Sequence, residues 1–346
     1  MVRRRMKSPT LKTVMMTIGD RSNTDVSVCY LTDKADVNTV NAVIDKLKNI
    51  PLNTIVSSEY LQSFLEPSGS TLFSQISVTE RPDVFVSKLY EGRVGIIVDG
   101  TPFALVLPCL FAENFVTMDD YSHKSYFSAF LRTIRFFAFI AAAVLPGLYV
   151  ALCNFHPEMF RTGLLLNIYS SVQTTAYPVF GECLIMYILY EIMREAGLRL
   201  PRSVGHAVSI VGGLVIGEIS VSAGLMSAPV VLIIAATGLC SFAVPDLYDS
   251  CMILRLVFIV AGGMLGLFGI TICGTVIFFR ICEKNAYGVP YTAPFAPVTI
   301  KSIMRDTFFR ASWKRLSGSD MTVQQLSGKA KSKRGGERTI RDEQDK

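Results

Sequence analysis

The chain divides by the period of its apolar positions. Residues 12–110 alternate short β-branched runs with helical stretches, whereas apolar runs from Phe136 to Phe279 are long and the charges between them sparse. In the first part Val14–Ile18, Val26–Leu31 and Val94–Val98 read as strands. Val37–Asn49 reads as a helix, with Val37, Val40, Ile44 and Leu47 on one stripe. Asp99-Gly100-Thr101-Pro102 separates Val94–Val98 from Phe103–Leu107, and Asp-Gly supplies the positive φ angles of a tight hairpin turn. Arg81-Pro82-Asp83 opens a helical stretch through Glu91, with proline near a helix start where its missing N–H is harmless. These elements predict a basic joint over 1–11 and a small cytoplasmic α/β domain of mixed sheet type over 12–120. The segment Phe111–Lys124 forms an amphipathic elbow at its end.

The second part matches a different solvent. A run of roughly 20 apolar residues fits the hydrocarbon core of a bilayer, and Leu256–Phe279 holds no charged residue at all. The first span is expected at about Ile134–Leu152, entered past Arg132 and Arg135 and interrupted by Pro146-Gly147. Leu164–Ala176 is mildly amphipathic, and Pro178–Met193 is more apolar but contains Glu182 and Glu191. Arg194, Arg199 and Arg202 gather in a loop that the positive-inside rule places in the cytoplasm. Val204–Leu225 and Pro229–Val244 follow, then the final span, with Arg255 before it and Arg280 and Lys284 beyond it. Cytoplasmic markers on both sides of three apolar segments require an even number of crossings. A broken or re-entrant element around Gly224–Pro229 resolves the parity, giving about four full crossings within 121–283. The fold class expected is therefore an α+β membrane protein, a small cytoplasmic α/β domain followed by a polytopic α-helical transmembrane bundle.

Composition agrees, with 50% hydrophobic residues and only 18% charged. The net charge of +6 lies wholly in residues 301–346, where 12 Lys/Arg face 6 Asp/Glu. Residues 284–346 are read as a basic cytoplasmic tail, disordered from about 317, attracted to anionic lipid rather than to nucleic acid. The start Met1-Val2-Arg3-Arg4-Arg5-Met6 has no apolar run behind it and is not read as a signal peptide. Eight cysteines are scattered without a C-x-x-C pair, and read as small apolar fillers rather than metal ligands.

Ionisable groups at membrane depth carry the functional reading. Each costs roughly 2.5–3.5 kcal/mol on insertion scales, so an inward-facing role is the default. Glu218 is flanked by apolar residues on both sides, with Ser222 one turn away on the same face. Glu218, Ser222 and Glu182 are the candidates for an ion path; an interhelical hydrogen bond or a pair with Arg255 is the structural alternative for Glu218. Arg255 and Glu191 are candidates for a buried pair or gate, against the alternative that both snorkel to the interface. Gly213–Gly217 and Gly262–Gly266 have the i, i+4 spacing of close helix packing, within one chain or between subunits. His123, His156 and His206 are isolated from one another, and His156-Pro157 is read as shaping a turn. No Walker loop, dinucleotide fingerprint, nucleophile elbow or H-E-x-x-H occurs, so no catalytic residue, metal site or cofactor is assigned.

The order of motifs resembles the A-subunit family of GerA-type spore germination proteins. The segments that carry it are Thr79-Glu80-Arg81-Pro82-Asp83, Glu91-Gly92-Arg93-Val94, Val98-Asp99-Gly100-Thr101-Pro102-Phe103 and Asp119-Asp120-Tyr121. Phe155-His156-Pro157-Glu158-Met159, residues 194–202, residues 210–217 and Gly288-Val289-Pro290-Tyr291 continue it, so the likeness runs from about residue 14 to 315. It implies a membrane subunit of a germinant receptor in the spore inner membrane, with both the N-terminal domain and the C-terminal tail on the core side. It also implies a transporter-like B subunit and a lipoprotein C subunit as partners, a homo-oligomer, and ion conduction when a nutrient germinant is sensed. Where the family pattern carries Gln, this chain has Glu218 and Ser222, and Arg161 replaces a usual proline. The resemblance also leads one to expect a further domain ahead of Val2–Arg5, so a short or truncated member is expected. A secondary transporter, which would need an internal repeat, and a non-conducting scaffold are the competing readings.

Overall fold

The computed structural model describes residues 1–66, 72–296, 306–307 and 322–327. Side chains at 202–204, 206–209, 211, 325 and 327 lie outside the description, as does the remainder of the basic tail; the expectations for Arg202, His206 and lipid contact at the tail fall there. The chain forms two compact units, one of residues 1–125 with 282–346 and one of residues 126–281.

The first unit is built on a five-stranded sheet. A short helix α1 (Val2–Arg5) precedes the hairpin β1 (Leu11–Ile18) and β2 (Thr24–Leu31), then come helices α2 (Val37–Lys48) and α3 (Ser58–Leu65) and strand β3 (Ser77–Thr79). Helix α4 (Pro82–Tyr90) and the pair β4 (Val94–Val98) and β5 (Ala104–Leu107) complete it. The strand order is β1-β2-β4-β5-β3, and every ladder is antiparallel. The mixed sheet expected from sequence is thus corrected. Apolar runs alone do not encode strand direction, and here hairpins rather than helical crossovers join the neighbours β1–β2 and β4–β5.

Period-two alternation divides the sheet residues between two cores. Val26, Val28, Val94, Ile96 and Val98 pack with Val40, Val43 and Leu47 of α2 and Leu61 and Leu65 of α3. Cys29, Leu31 and Val106 pack instead with Phe85, Val86 and Leu89 of α4. Both faces are covered, which explains why β2 and β4 read as continuous apolar runs. On α2 the buried stripe includes Val43, while Val37 is exposed, a shift from the expected stripe. Asp36 caps that helix by accepting from the Thr39 N–H at 3.2 Å. In the β4–β5 loop Gly100 takes φ 77°, and no positive φ occurs at Asp99, so the connection is looser than a two-residue turn. Gly95 is bare for a packing reason, since a Cβ there would lie 2.3 Å from the Phe85 ring.

The expected elbow consists of two 3-10 turns, Phe111–Phe115 and Met118–Tyr121, the second closed by a capping box of Thr117 and Asp120. The first is held by a buried charge cluster. Arg93 reaches Glu113 at 2.7 Å, the Pro108 carbonyl, and Glu91 at 3.1 Å, while Lys88 reaches Glu113 at 2.8 Å. Burial opposes the charge on Glu113, but the Arg93 and Lys88 cations outweigh it and hold the carboxyl below its ordinary 4.5. The region expected as a basic tail begins by packing into this unit. Asn285–Ala286 (β6) pairs with Val289–Pro290 (β7), and Tyr291 accepts from the Phe111 N–H at 2.9 Å. Val323–Ser327 is a 3-10 turn with the Val323 N–H on the Glu91 carbonyl at 2.8 Å, within the stretch expected to be disordered.

The second unit is helical, with α5 (Ser125–Phe155), α6 (Thr162–Gln173), α7 (Val179–Arg199), α8 (Arg202–Ser222), α9 (Ala228–Phe242) and α10 (Tyr248–Glu283). Among the described residues two helices are long and apolar enough to cross a membrane, Ser125–Phe155 and Pro245–Glu283. With 31 residues α5 spans about 46 Å, whereas the 15 residues of α9 span about 22 Å, less than a hydrocarbon core of about 30 Å. Helices α5 and α10 meet backbone to backbone. A Cβ on Gly147 would lie 2.2 Å from the Phe258 carbonyl oxygen, and one on Gly262 would lie 2.3 Å from that of Gly147. Gly266 has φ 62° and breaks the helical path of α10, and a Cβ there would lie 3.0 Å from the Phe155 ring at the end of α5, so both glycines of the expected Gly262–Gly266 pair face α5.

Candidate functional site

Arg255 is the centre of the helical unit. It is fully buried and touches three other helices, because a guanidinium offers five N–H donors in a fixed fork. Its Nε donates to the Ala142 carbonyl on α5 at 2.9 Å. Ala142 precedes Pro146 by four residues, and proline has no N–H to fill that carbonyl. Pro146 therefore creates the acceptor that Arg255 fills. The other nitrogens reach the Ser241 hydroxyl and the Thr237 carbonyl at 3.4 Å on α9, and Glu191 at 3.4 Å on α7. The rings of Tyr187 and Tyr190 flank it, with centroids 5.5 and 5.8 Å away.

Glu191 has other cationic and polar company. It accepts from Arg194 at 3.0 Å and from the Tyr248 hydroxyl at 2.9 Å, while Arg194 lies 3.9 Å from the centroid of the Tyr248 ring. Snorkelling of Arg255 is corrected by this enclosure: the side chain turns into the unit because carbonyl, hydroxyl and carboxylate acceptors converge there. Sequence reasoning missed Thr237, Ser241, Tyr187, Tyr190 and Tyr248. The available signal was Pro146, whose orphaned i−4 carbonyl demands a donor.

Glu182 is a separate site. Its carboxylate is fully buried and accepts from the Ser227 N–H at 2.9 Å, the Ser227 hydroxyl at 2.6 Å, and the Thr175 hydroxyl. It sits in the first turn of α7 and takes up an N–H at the start of α9, where both helix dipoles favour an anion. The helix break expected around Gly224–Pro229 is the turn it anchors. Gly224 has φ 66°, and a Cβ there would lie 2.9 Å from the Thr174 carbonyl oxygen.

Glu218 and Ser222 lie together on an exposed face of α8, in line with exposed Ile210 and Leu214. Among the described residues the Ser222 hydroxyl bonds its own helix, donating to the Ile219 carbonyl at 3.2 Å. The fold thus brings Glu218 to Ser222, and Glu191 to Arg255, but joins neither Glu182 nor Arg255 to Glu218. A Cβ at Gly217 would make ordinary contact with Val231 at 3.7 Å, whereas one at Gly213 would meet nothing within 4 Å. Gly213 therefore packs against no neighbouring helix within the described chain.

A family profile described as Bacillus/Clostridium GerA spore germination protein matches residues 1–320. The chain belongs to the GerA spore germination protein family. Spore germination protein KA of Bacillus subtilis is 38% identical to this GerA-family chain over 90% of its length and 58% of that relative. Spore germination protein GerLA of Bacillus cereus is 32% identical, covering 90% of this chain and 63% of the other. The B. subtilis uncharacterized membrane protein YfkQ is 33% identical, covering 96% and 65%. The GerA chain thus spans about 58 to 65% of the length of these curated relatives. The crystal structure of the N-terminal domain of the A subunit of the Bacillus megaterium spore germinant receptor GerK3 is 43% identical. It covers 32% of this chain and 87% of that one, with a TM-score of 0.26.

Proposed function

We propose that this GerA-family chain is an integral-membrane A-type subunit of a spore germinant receptor, an oligomeric component that conducts cations when a nutrient germinant is sensed. The observation that carries the reading is the Glu218–Ser222 face of α8. A carboxylate in an apolar helical surface is costly against lipid, and the cost is relieved where copies of α8 converge around water. The buried Arg255 cluster fits a frame that holds the helices while α8 lines the path. In this reading the polytopic bundle sits in the spore inner membrane with the sheet unit and tail on the cytoplasmic side. Its partners are a transporter-like B subunit, a lipoprotein C subunit and, at the tail, anionic lipid. It performs no covalent chemistry and binds no cofactor.

The test is cation flux through the reconstituted oligomer. Glu218→Gln is expected to lower cation selectivity and Glu218→Leu to lower conductance at least tenfold, since the ring of charge is lost. Unchanged conductance and selectivity in both variants would exclude Glu218 from the path. Co-purification with B- and C-type partners without any flux would favour a scaffold instead.

A further inference from the structure

Glu182 lies apart from the exposed Glu218 face, yet it is fully buried, and among the described residues no arginine, lysine or histidine pairs with it. Its donors are an N–H and two hydroxyls drawn from two turns, Ser227 between α8 and α9 and Thr175 between α6 and α7. A carboxylate buried on neutral donors is costly, and what this one secures is the end of α8. That helix closes in a Schellman motif: the Gly224 N–H, at φ 66°, donates to the Val221 carbonyl at 3.1 Å and the Leu225 N–H to the Ser220 carbonyl at 2.9 Å. The last turn of α8, which holds Ser222, thus continues into residues 223–227 as one hydrogen-bonded piece. That piece is docked on the α6–α7 turn. The Ala176 N–H donates to the Gly224 carbonyl at 3.2 Å, a Cβ on Gly224 would lie 2.9 Å from the Thr174 carbonyl oxygen, and Glu182 takes both donors of Ser227. Met226, between these points, is buried. The face of α8 with Glu218 is exposed at Ile210, Leu214 and Ile219, so the docked end is what fixes Ser222 and the turn before it.

We infer that Glu182 is a positioning residue of the proposed path, a latch that holds the end of α8 against the α6–α7 turn and whose release lets Glu218 and Ser222 move. This role rests on α8 as the lining of the path. With Glu182 engaged a fully buried carboxylate has all its donors, so the latched arrangement is the ground state and opening is the excursion from it. One side chain carries most of the attachment, and its loss leaves only the Ala176–Gly224 bond between the two turns.

The experiment measures cation flux through the full chain reconstituted in liposomes, with no germinant added. Glu182→Ala is expected to raise this resting flux about tenfold, the population shift that follows the loss of one hydrogen bond to a charged group, with cation selectivity unchanged. Glu182→Gln keeps an acceptor for Ser227 and is expected to restore most of the closed state. Should Glu182→Ala not yield a monodisperse oligomer, Ser227→Ala, which deletes a single hydroxyl, is expected to raise resting flux about threefold. Resting flux at the wild-type level in these variants, while the Glu218 variants alter selectivity, overturns the latch and leaves the path standing. Altered selectivity in Glu182→Gln also overturns it, by placing the carboxylate in the path itself. Where no protein conducts, the path reading fails and hydrogen exchange decides the latch: the amides of residues 224–227 are expected to exchange about tenfold faster in Glu182→Ala than in Glu182→Gln, and equal exchange overturns it.

Discussion

In each unit a buried arginine meets a glutamate, Arg93 with Glu113 and Arg255 with Glu191, yet the two clusters are wired in opposite ways. Around Arg93 the acid Glu113 serves two bases, Arg93 and Lys88, at 2.7 and 2.8 Å, with the more exposed Glu91 beside Arg93 at 3.1 Å. Around Arg255 a single base serves mostly neutral acceptors, and its acid, Glu191, stands farther off at 3.4 Å and is shared with Arg194 and Tyr248. In the sheet unit the acid is the member that cannot be spared. In the helical unit the base is the hub, but its removal leaves Glu191 still partnered. Burial of a charge pair alone therefore does not say which partner matters; the count of remaining partners does.

The sharpest way to break this contrast is Glu113→Ala. It leaves Arg93 and Lys88 buried with only Glu91 between them and is expected to cost about 3–5 kcal/mol, read as lost amide protection in Phe111–Phe115 by hydrogen exchange. Acidification tests the same carboxyl. With its folded value below 4.5, its contribution is complete above that pH and is lost as pH falls through the folded value, so protection of Phe111–Phe115 should fall on acidification and the Glu113→Ala protein should lack that step. Arg255→Met is expected to cost less, about 2 kcal/mol, measured by denaturation in detergent, because a methionine fills the volume and Glu191 keeps Arg194 and Tyr248. The smallest effect is a coupling. Pro146→Ala supplies an N–H for the Ala142 carbonyl, so Arg255→Met should cost about 1 kcal/mol less in that background, a difference a double-mutant cycle resolves.

Local chemistry was more legible than pairing. The β2 and β4 runs, the Val37 helix start and the turns at Gly100 and Gly224 follow from side-chain period and backbone freedom, which act over a few residues. Strand direction in the sheet depends on which segments meet across the chain, and no local pattern carries it. The same holds for the site. Glu218 with Ser222 was readable because one helical turn joins them, whereas Arg255 meets Ala142 across 113 residues and Thr237 through a backbone carbonyl, which has no sequence signature. Glu182 looked like an intramembrane charge with a path to face. Its partners, an N–H and two hydroxyls in turns, are groups that a hydropathy reading ignores.

The hairpin at Tyr287 carries a consequence for assembly order. Leu110, made before the first long apolar helix, shares a buried cluster with Val289, Ala293 and Val323, all made after the last one. On the ribosome the sheet unit therefore cannot seal until every helix from α5 to α10 has been synthesised. Leu110 gains these three buried neighbours only once the helical insert has been made.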